Sequence, residues 1–474
     1  MNDITLLDCT LRDGGYNNSW HFDSNLVHKY LRSIETTVDA VEMGFRVPTQ
    51  HKFFGAFAFT TDELLKNLPL PSSCKIGVMV NSGDMVKHQD GPTSCIKSLF
   101  VECEQSPVDF VRVASHFGLI PDARIVAETL KLLGYQVCFN CMQASYRTSQ
   151  EISAAAKEIN SWGTVDVLYY ADSLGEMSPE STRIIIDSFR QEWDGPIGAH
   201  THNNKGLAVI NAMTAVEAGA SWIDGTIAGM GRGAGNASTE YLLIELQQRG
   251  YDQYDPESIF AIVMEDFASL KEKYKWGPSL LYYLSAVGKV HPTYIQEMTG
   301  SLQYGTSQLM QGISVLSEKK ANSYTKDCLI EAMSGKCSLV EGLWSADDWL
   351  LDRDVLIVAS GPSTKEHALA ISSFIEKYSP FVLGLNCHLN LDTLYVDAYA
   401  VCHFTRLFTE LDNYRSLRCP LLMPLGALTP EIKNTLSEIE ILDYGLQVDI
   451  GRFDIRSTSC CNSINKYSVE ALPA

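Results

Sequence analysis

Eight short runs rich in β-branched and apolar residues, at 4–11, 38–45, 74–80, 109–115, 136–142, 165–173, 196–203 and 221–227, punctuate the first half of this chain. Each is followed by enough residues for a helix and two loops, so the pattern reads as strand alternating with helix and therefore as a parallel sheet. Eight such units in succession close into a (β/α)8 TIM barrel over residues 1–250. Helices are expected between the strands, for example over 149–161, where Ala154, Ala155 and Ala156 favour the helix, and over 207–218.

The rest of the chain carries two other patterns. Residues 251–350 lose the strand rhythm and hold helix-compatible stretches at 256–274, 294–310 and 323–333. From residue 351 the strand pattern returns. Val355-Leu356-Ile357-Val358-Ala359 runs into Ser360-Gly361-Pro362-Ser363, a helix is expected over 365–377, and further strands at 381–386, 398–403, 420–423 and 440–442. The expected organisation is a barrel (1–250), a helical appendage (251–350) and a smaller, doubly wound, Rossmann-like α/β domain (351–474). A chain of 474 residues is consistent with more than one core, since a single core stops growing near roughly 250 residues.

Composition narrows the function classes. No run of about 18 apolar residues occurs, so no membrane-spanning segment is expected. Acidic residues number 57 against 37 basic ones, a net charge of −20 without a basic cluster, which argues against nucleic acid as a partner. The 13 cysteines lack disulfide-framework or zinc-ribbon spacing, and Cys460-Cys461 are neighbours that seldom meet disulfide geometry. Reduced thiols and the lack of a secretory pattern at the N-terminus point to the cytoplasm.

Two motifs at strand ends carry the chemistry. Asp8-Cys9-Thr10-Leu11-Arg12-Asp13-Gly14 closes the first run, and His200-Thr201-His202-Asn203-Asn204 closes the seventh. Alternation along a strand puts His200 and His202 on one face, where they read either as hydrogen-bonded core histidines or as a pair of imidazole ligands. In an eight-stranded barrel the first and seventh strands both flank the eighth, so Asp13 can face the pair across the C-terminal rim. Two imidazoles and a carboxylate, with positions to spare, suit a catalytic divalent ion. The combination favours the ligand reading over either motif alone. No barrel run ends in a lysine suited to Schiff-base chemistry; Lys205 lies in a loop beyond the seventh.

With Asp109-Phe110-Val111-Arg112-Val113-Ala114-Ser115-His116, Ala171-Asp172-Ser173-Leu174-Gly175 and Gly231-Arg232-Gly233-Ala234-Gly235-Asn236, these motifs make the chain resemble the DRE-TIM metallolyases over about residues 4–300. Within that superfamily it is most similar to the 4-hydroxy-2-oxovalerate aldolases. The resemblance implies a class II carbon–carbon lyase whose active site the helical appendage completes. Its substrates would be pyruvate and an aldehyde, or the corresponding 4-hydroxy-2-oxo acid, and the chain could form a homo-oligomer. It implies Asp13, His200 and His202 as ligands of Mn2+, with Mg2+ or Co2+ as alternatives, and Arg12 at the keto or enolate oxygen. Ser173 reads as a donor to the substrate carboxylate or as a helix N-cap, and Asn236 as a further ligand or as a loop residue.

Two positions depart from the family pattern. Where the aldolases carry a histidine after the Arg-Asp-Gly motif, this chain has Tyr16, and where they carry a tyrosine it has His291 in Gly288-Lys289-Val290-His291-Pro292. Either Tyr16 and His291 have exchanged places as a proton-transfer pair, with His291 the base because an unperturbed imidazole titrates near neutrality, or Tyr16 packs and His291 caps a helix. Two other functions fit less well. An acyl-CoA-dependent lyase or synthase of the same superfamily would read Gly-Glu-Gln where this chain has Gly14-Gly15-Tyr16, and a non-catalytic metal-binding scaffold has no use for a guanidinium beside the ion. The Ser360-Gly361-Pro362-Ser363 turn reads as a phosphate cradle or, preferably, as an ordinary strand-to-helix turn.

Overall fold

The computed structural model describes residues 3–48, 54–300, 304, 306–333, 342–347, 349–387, 392–401, 407, 410–425, 430–449, 454–455 and 459–463. The chain divides into two units, Met1–Ile295 and Gln296–Ala474.

All eight expected runs of the first unit contain a strand: β1 (Thr5–Asp8), β2 (Ala40–Phe45), β3 (Lys75–Asn81), β4 (Phe110–His116), β5 (Gln136–Met142), β6 (Val167–Ala171), β7 (Ile197–His200) and β8 (Trp222–Gly225). They form one closed parallel barrel in sequence order, β1 pairing with both β2 and β8. Side chains alternate, so each strand gives one set outward and one inward. Outward-facing Val41, Met43, Val78, Val80, Val111, Val113, Val137 and Phe139 join the surrounding helices in one large core. Inward-facing Leu7, Ala40, Phe110, Cys138, Val167, Tyr169 and Trp222 pack the lower barrel. Two residues further along their strands, Glu42, Arg112 and Asp224 enter the interior as a buried charged layer directly above this apolar floor.

Four runs end earlier than expected, those of β1, β6, β7 and β8, and the endings of β1 and β7 shape the rim. β1 stops at Asp8, whose Oδ1 accepts the Thr10 amide at 2.9 Å and turns the chain. Residues Thr10–Asp13 then form a single helical turn, with Asp13 N bonded to Cys9 O at 2.8 Å. A continued strand would have sent Arg12 and Asp13 to opposite faces, whereas on the turn both are buried. β7 stops at His200, and His202 instead forms an isolated antiparallel bridge with Asn236. The interstrand helices Ser149–Trp162 and Ala208–Glu217 lie where the sequence puts them.

The first unit extends past residue 250, the expected end of the barrel domain. Tyr254, Ile259, Ile262, Phe267 and Trp276 belong to the same hydrophobic cluster as the barrel helices, and the Tyr254 hydroxyl donates to Ile4 O at 2.8 Å. The helical stretch expected over 256–274 comprises Glu257–Ile262, a π-helical turn at Val263–Phe267, and Ala268–Tyr274.

In the second unit, helices Pro292–Gly300, Thr306–Glu318 and Lys326–Met333 take the place of the stretches expected at 294–310 and 323–333, with Pro292–Ile295 belonging to the first unit; residues 301–303 and 305 lie outside the described residues. A parallel sheet follows: β9 (Val355–Ala359), β10 (Phe381–Leu385), β11 (Ala398–Ala400), β12 (Leu421–Met423) and β13 (Ile441–Asp443). The smaller α/β domain is therefore present, but its strand order is simply sequential from β9 to β13. A doubly wound sheet reverses its order at a switch point, and this one has no reversal among its described strands, which corrects that part of the expectation. Residues 402–403 of the expected third strand lie outside the described residues. The Ser360–Ser363 turn leads into a helix of only five residues, Pro362–Glu366, where Thr364 Oγ1 bonds back to Ala359 O at 2.6 Å. A three-stranded sheet of Gly445–Asp449, Asp454–Ile455 and Ser459–Ser463 ends the described chain and includes Cys460 and Cys461. No helix among the described residues is long and apolar enough to cross a membrane.

Candidate active site at the barrel mouth

At the C-terminal end of the barrel, the side chains of Asp13, His200 and His202 converge. Nε2 of His200 lies 3.5 Å and Nε2 of His202 lies 3.7 Å from the same oxygen, Oδ2 of Asp13. The two rings stand perpendicular with centroids 4.9 Å apart. All three residues are buried.

What holds the rings decides what they can bind. His202 Nδ1 is 2.6 Å from the backbone carbonyl of Asp172, an acceptor only, so that nitrogen carries the proton and Nε2 presents a lone pair. His200 Nδ1 is 2.7 Å from Asp224 Oδ2, a carboxylate already bonded to Arg112, which fixes the same tautomer. Two imidazole lone pairs and a carboxylate oxygen, all within 4.8 Å of one another, form a donor set that fits a divalent cation. Cys9, His200 and Asp224 are equally close. That cluster does not make a second site, because Asp224 is committed to Arg112 and burial pushes the Cys9 thiol well up, keeping it protonated.

The charges around the site form a closed ring. Arg12 Nη1 donates to Asp13 Oδ1 at 2.9 Å and Arg12 Nε to Glu42 Oε2 at 2.6 Å. The other oxygen of Glu42 lies 3.1 Å from Arg112 Nε, and Arg112 returns to Asp224 and so to His200. Tyr169 lies beneath, its ring 4.4 Å from the Arg112 guanidinium carbon. Burial alone would push Asp13 up and Arg12 down. The charges they face prevail, holding the Asp13 carboxyl well below the usual range and Arg12 firmly protonated. For His200 too, the bonds to Asp13 and Asp224 outweigh burial and raise its affinity for a proton, whereas burial dominates at His202 and lowers it. Arg12 keeps one buried nitrogen, Nη2, with no hydrogen-bond partner. An orphaned guanidinium donor beside this converging trio of side chains is suited to an oxyanion.

The other expected residues line the same mouth. Asn236 Nδ2 donates to Asp13 Oδ2 in a very short contact, while its Oδ1 is buried without a partner. Ser173 Oγ accepts the Gln143 amide at 3.0 Å. Ser173 is not a helix cap: the next helix, Pro179–Arg190, begins six residues later and is capped by Ser178. Lys205, outside the barrel interior as expected, donates to Glu176 O at 2.6 Å.

Tyr16 and His291 both reach the mouth, with Arg232 as the shared neighbour. The Arg232 guanidinium carbon lies 5.6 Å from the Tyr16 ring centre, and its Nη1 lies 3.4 Å from His291 Nε2. Tyr16 is 39% exposed and meets Trp20 edge-on at 4.9 Å. Burial, and then the Arg232 charge, push the His291 imidazole down to about 2, far from the near-neutral titration that made it the expected base.

Glu42, Arg112, Asp224 and Arg232 were not singled out from sequence as site residues. Three of them had a visible signal, a lone charge inside an apolar strand run: Ala40-Val41-Glu42-Met43, Phe110-Val111-Arg112-Val113 and Trp222-Ile223-Asp224. Arg232 had a different one, a guanidinium among glycines.

Comparison with known proteins agrees with the barrel fold. Residues 107–265 match the HMGL-like family model. The 4-hydroxy-2-oxovalerate aldolase of Pelotomaculum thermopropionicum is 31% identical over 256 residues, 52% of this chain and 71% of that protein. The Bacillus thuringiensis protein of the same name is 39% identical over 144 residues, 30% of this chain and 41% of that protein. Among solved structures, the N-terminal domain of a Bacteroides vulgatus protein provisionally named an aldolase superposes with a TM-score of 0.56 at 32% identity, covering 62% of this chain and 96% of that one. The carboxyl transferase domain of Rhizobium etli pyruvate carboxylase, at 16% identity and a TM-score of 0.53 over 70% of this chain and 61% of that one, shares the fold. By its barrel, its rim motifs and these relatives, the chain belongs to the 4-hydroxy-2-oxovalerate aldolase family, carbon–carbon lyases on an HMGL-like barrel.

Proposed function

We propose that this chain is a divalent-metal-dependent pyruvate aldolase, joining pyruvate to an aldehyde or cleaving the resulting 4-hydroxy-2-oxo acid. The observation that carries the reading is the convergence of Asp13, His200 and His202 on one point beside the unpartnered Nη2 of Arg12. Mn2+ suits the mixed nitrogen and oxygen donors, with Mg2+ and Co2+ as alternatives. Turned about its last bond, the Asn236 amide would offer Oδ1 as a further ligand. When bound, the ion draws electron density from the 2-oxo acid's keto and carboxylate oxygens.

The residues then divide the work. In the forward direction a proton leaves the pyruvate methyl, that carbon bonds to the aldehyde carbon, and the aldehyde oxygen gains a proton; cleavage is the reverse. Arg12 Nη2 donates to the C2 oxygen as negative charge builds there, held in place by Glu42 and Asp13. The Ser173 hydroxyl donates to the substrate carboxylate. Tyr16 and His291, on either side of Arg232, serve the C4 oxygen, Tyr16 as donor and His291 as a neutral acceptor. His291 comes from beyond residue 250, which supports a role for that helical segment in completing the site.

Incubation with pyruvate and Mn2+ in deuterated water tests the reading. Deuterium should enter the methyl group, and chelation should stop it. Absence of exchange together with turnover of acetyl-CoA would overturn the proposal in favour of a Claisen-type enzyme.

A further inference from the structure

The three guanidinium groups buried or half-buried at the barrel mouth are not equivalent. Arg12 and Arg112 are matched by three carboxylates, Asp13, Glu42 and Asp224. That ring carries one negative charge in excess, so a divalent ion and the carboxylate of a 2-oxo acid together bring it to neutrality. Arg232 stands outside this balance. Its polar contacts are all uncharged: Nη2 donates to the Ser173 carbonyl at 3.1 Å, Nη1 faces His291 Nε2 at 3.4 Å, and the Tyr16 ring lies below. It makes no ion pair among the described residues, and its Nε is buried with no acceptor.

An unmatched, partly desolvated guanidinium costs stability unless an anion joins it. A chain of net charge −20 also repels anions at long range, so holding one requires a local cation of this kind. Lys289, two residues before His291, likewise makes no ion pair among the described residues and rests 5.0 Å above the Tyr146 ring.

We propose that Arg232 recognises a second anionic group on the substrate, so that the aldehyde partner of pyruvate carries a carboxylate or a phosphate. The inference rests on the aldolase reading and narrows its substrate class. Arg232 lies beside Tyr16 and His291, the residues assigned to the C4 oxygen, and four residues before Asn236, which touches Asp13. An anion held there belongs to the half of the substrate beyond C4. The guanidinium fork suits both carboxylate and phosphate.

The test compares matched acceptors with the full-length, Mn2+-loaded protein: 4-oxobutanoate against its methyl ester, and glyceraldehyde 3-phosphate against glyceraldehyde. The charged member of at least one pair should have a kcat/KM at least about tenfold higher, the value of a charge-assisted contact, and the pair that responds tells carboxylate from phosphate. In Arg232→Gln that ratio should collapse towards one, and Arg232→Lys should restore part of it. A ratio is insensitive to the fraction of folded enzyme. Equal use of charged and neutral acceptors by the wild type would overturn the inference, as would Arg232→Gln slowing both members of a pair alike. Failure of the wild type to exchange the pyruvate methyl would instead overturn the aldolase reading.

Discussion

The Asp224 carboxylate lies 2.7 Å from Nδ1 of His200, and through that contact it decides that Nε2, the nitrogen facing Asp13, carries the lone pair. The same carboxylate neutralises Arg112 beneath it, so one side chain both aims an imidazole and anchors the ring of buried charges. Replacing it by asparagine keeps the shape but allows the amide to donate to Nδ1, which frees His200 to carry its proton on Nε2. Asp224→Asn should weaken Mn2+ binding by 10- to 100-fold, read by calorimetric titration. It should also cost about 3 kcal/mol of stability, because Arg112 is left with Glu42 alone. Unchanged affinity would mean that His200 is not a ligand.

Arg12 is tied by two of its nitrogens and free at the third, and a lysine cannot reproduce that arrangement. Arg12→Lys retains the charge and loses the aimed donor. The rate of deuterium entry into the pyruvate methyl should fall by roughly 10²- to 10³-fold, the usual loss when one oxyanion donor is removed. Mn2+ affinity should change far less, since Asp13 remains. Comparable exchange by the lysine variant would show that charge alone suffices.

Glu240 supplies a pH prediction away from the ligands. It is buried, accepts the Ala228 amide at 3.0 Å, and burial raises its carboxyl from 4.5 to about 7. Between those values the folded chain holds a proton that the unfolded chain has lost. The contribution is therefore fully present below pH 4.5 and is lost as pH rises towards 7. Glu240→Gln keeps an acceptor for Ala228 without the titration. Urea denaturation at pH 5 and pH 8 should show the variant gaining on the wild type by up to about 3 kcal/mol across the interval. Parallel behaviour at the two pH values would contradict the assignment.

The barrel was legible because its signal is repeated: eight apolar runs at strand–helix spacing leave little room for another topology, and the closed order β1 to β8 follows. The convergence of Asp13, His200 and His202 was legible because residues at strand ends sit in short motifs. The helical turn at Thr10–Asp13 was not, since the hydrogen bond from Asp8 that bends the chain is a choice made against the apolar pattern of the run. The ring through Glu42, Arg112 and Asp224 joins strands far apart in sequence, so each charge looked like an isolated exception inside its own run. The proton affinity of His291 is lowered first by burial and then by Arg232, 59 residues away, and no local reading reaches either. The second sheet's strands could be found from composition, but their order depends on which side each connecting segment crosses, and single runs do not encode that.

The central claim is that three side chains hold a catalytic cation. Calorimetric titration of the chelator-stripped full-length chain with Mn2+, beside His202→Ala, tests it most directly. One ion per chain should bind the wild type, and the variant should lose at least a hundredfold in affinity while its thermal unfolding remains cooperative. Binding of equal strength and stoichiometry to both proteins would contradict the account.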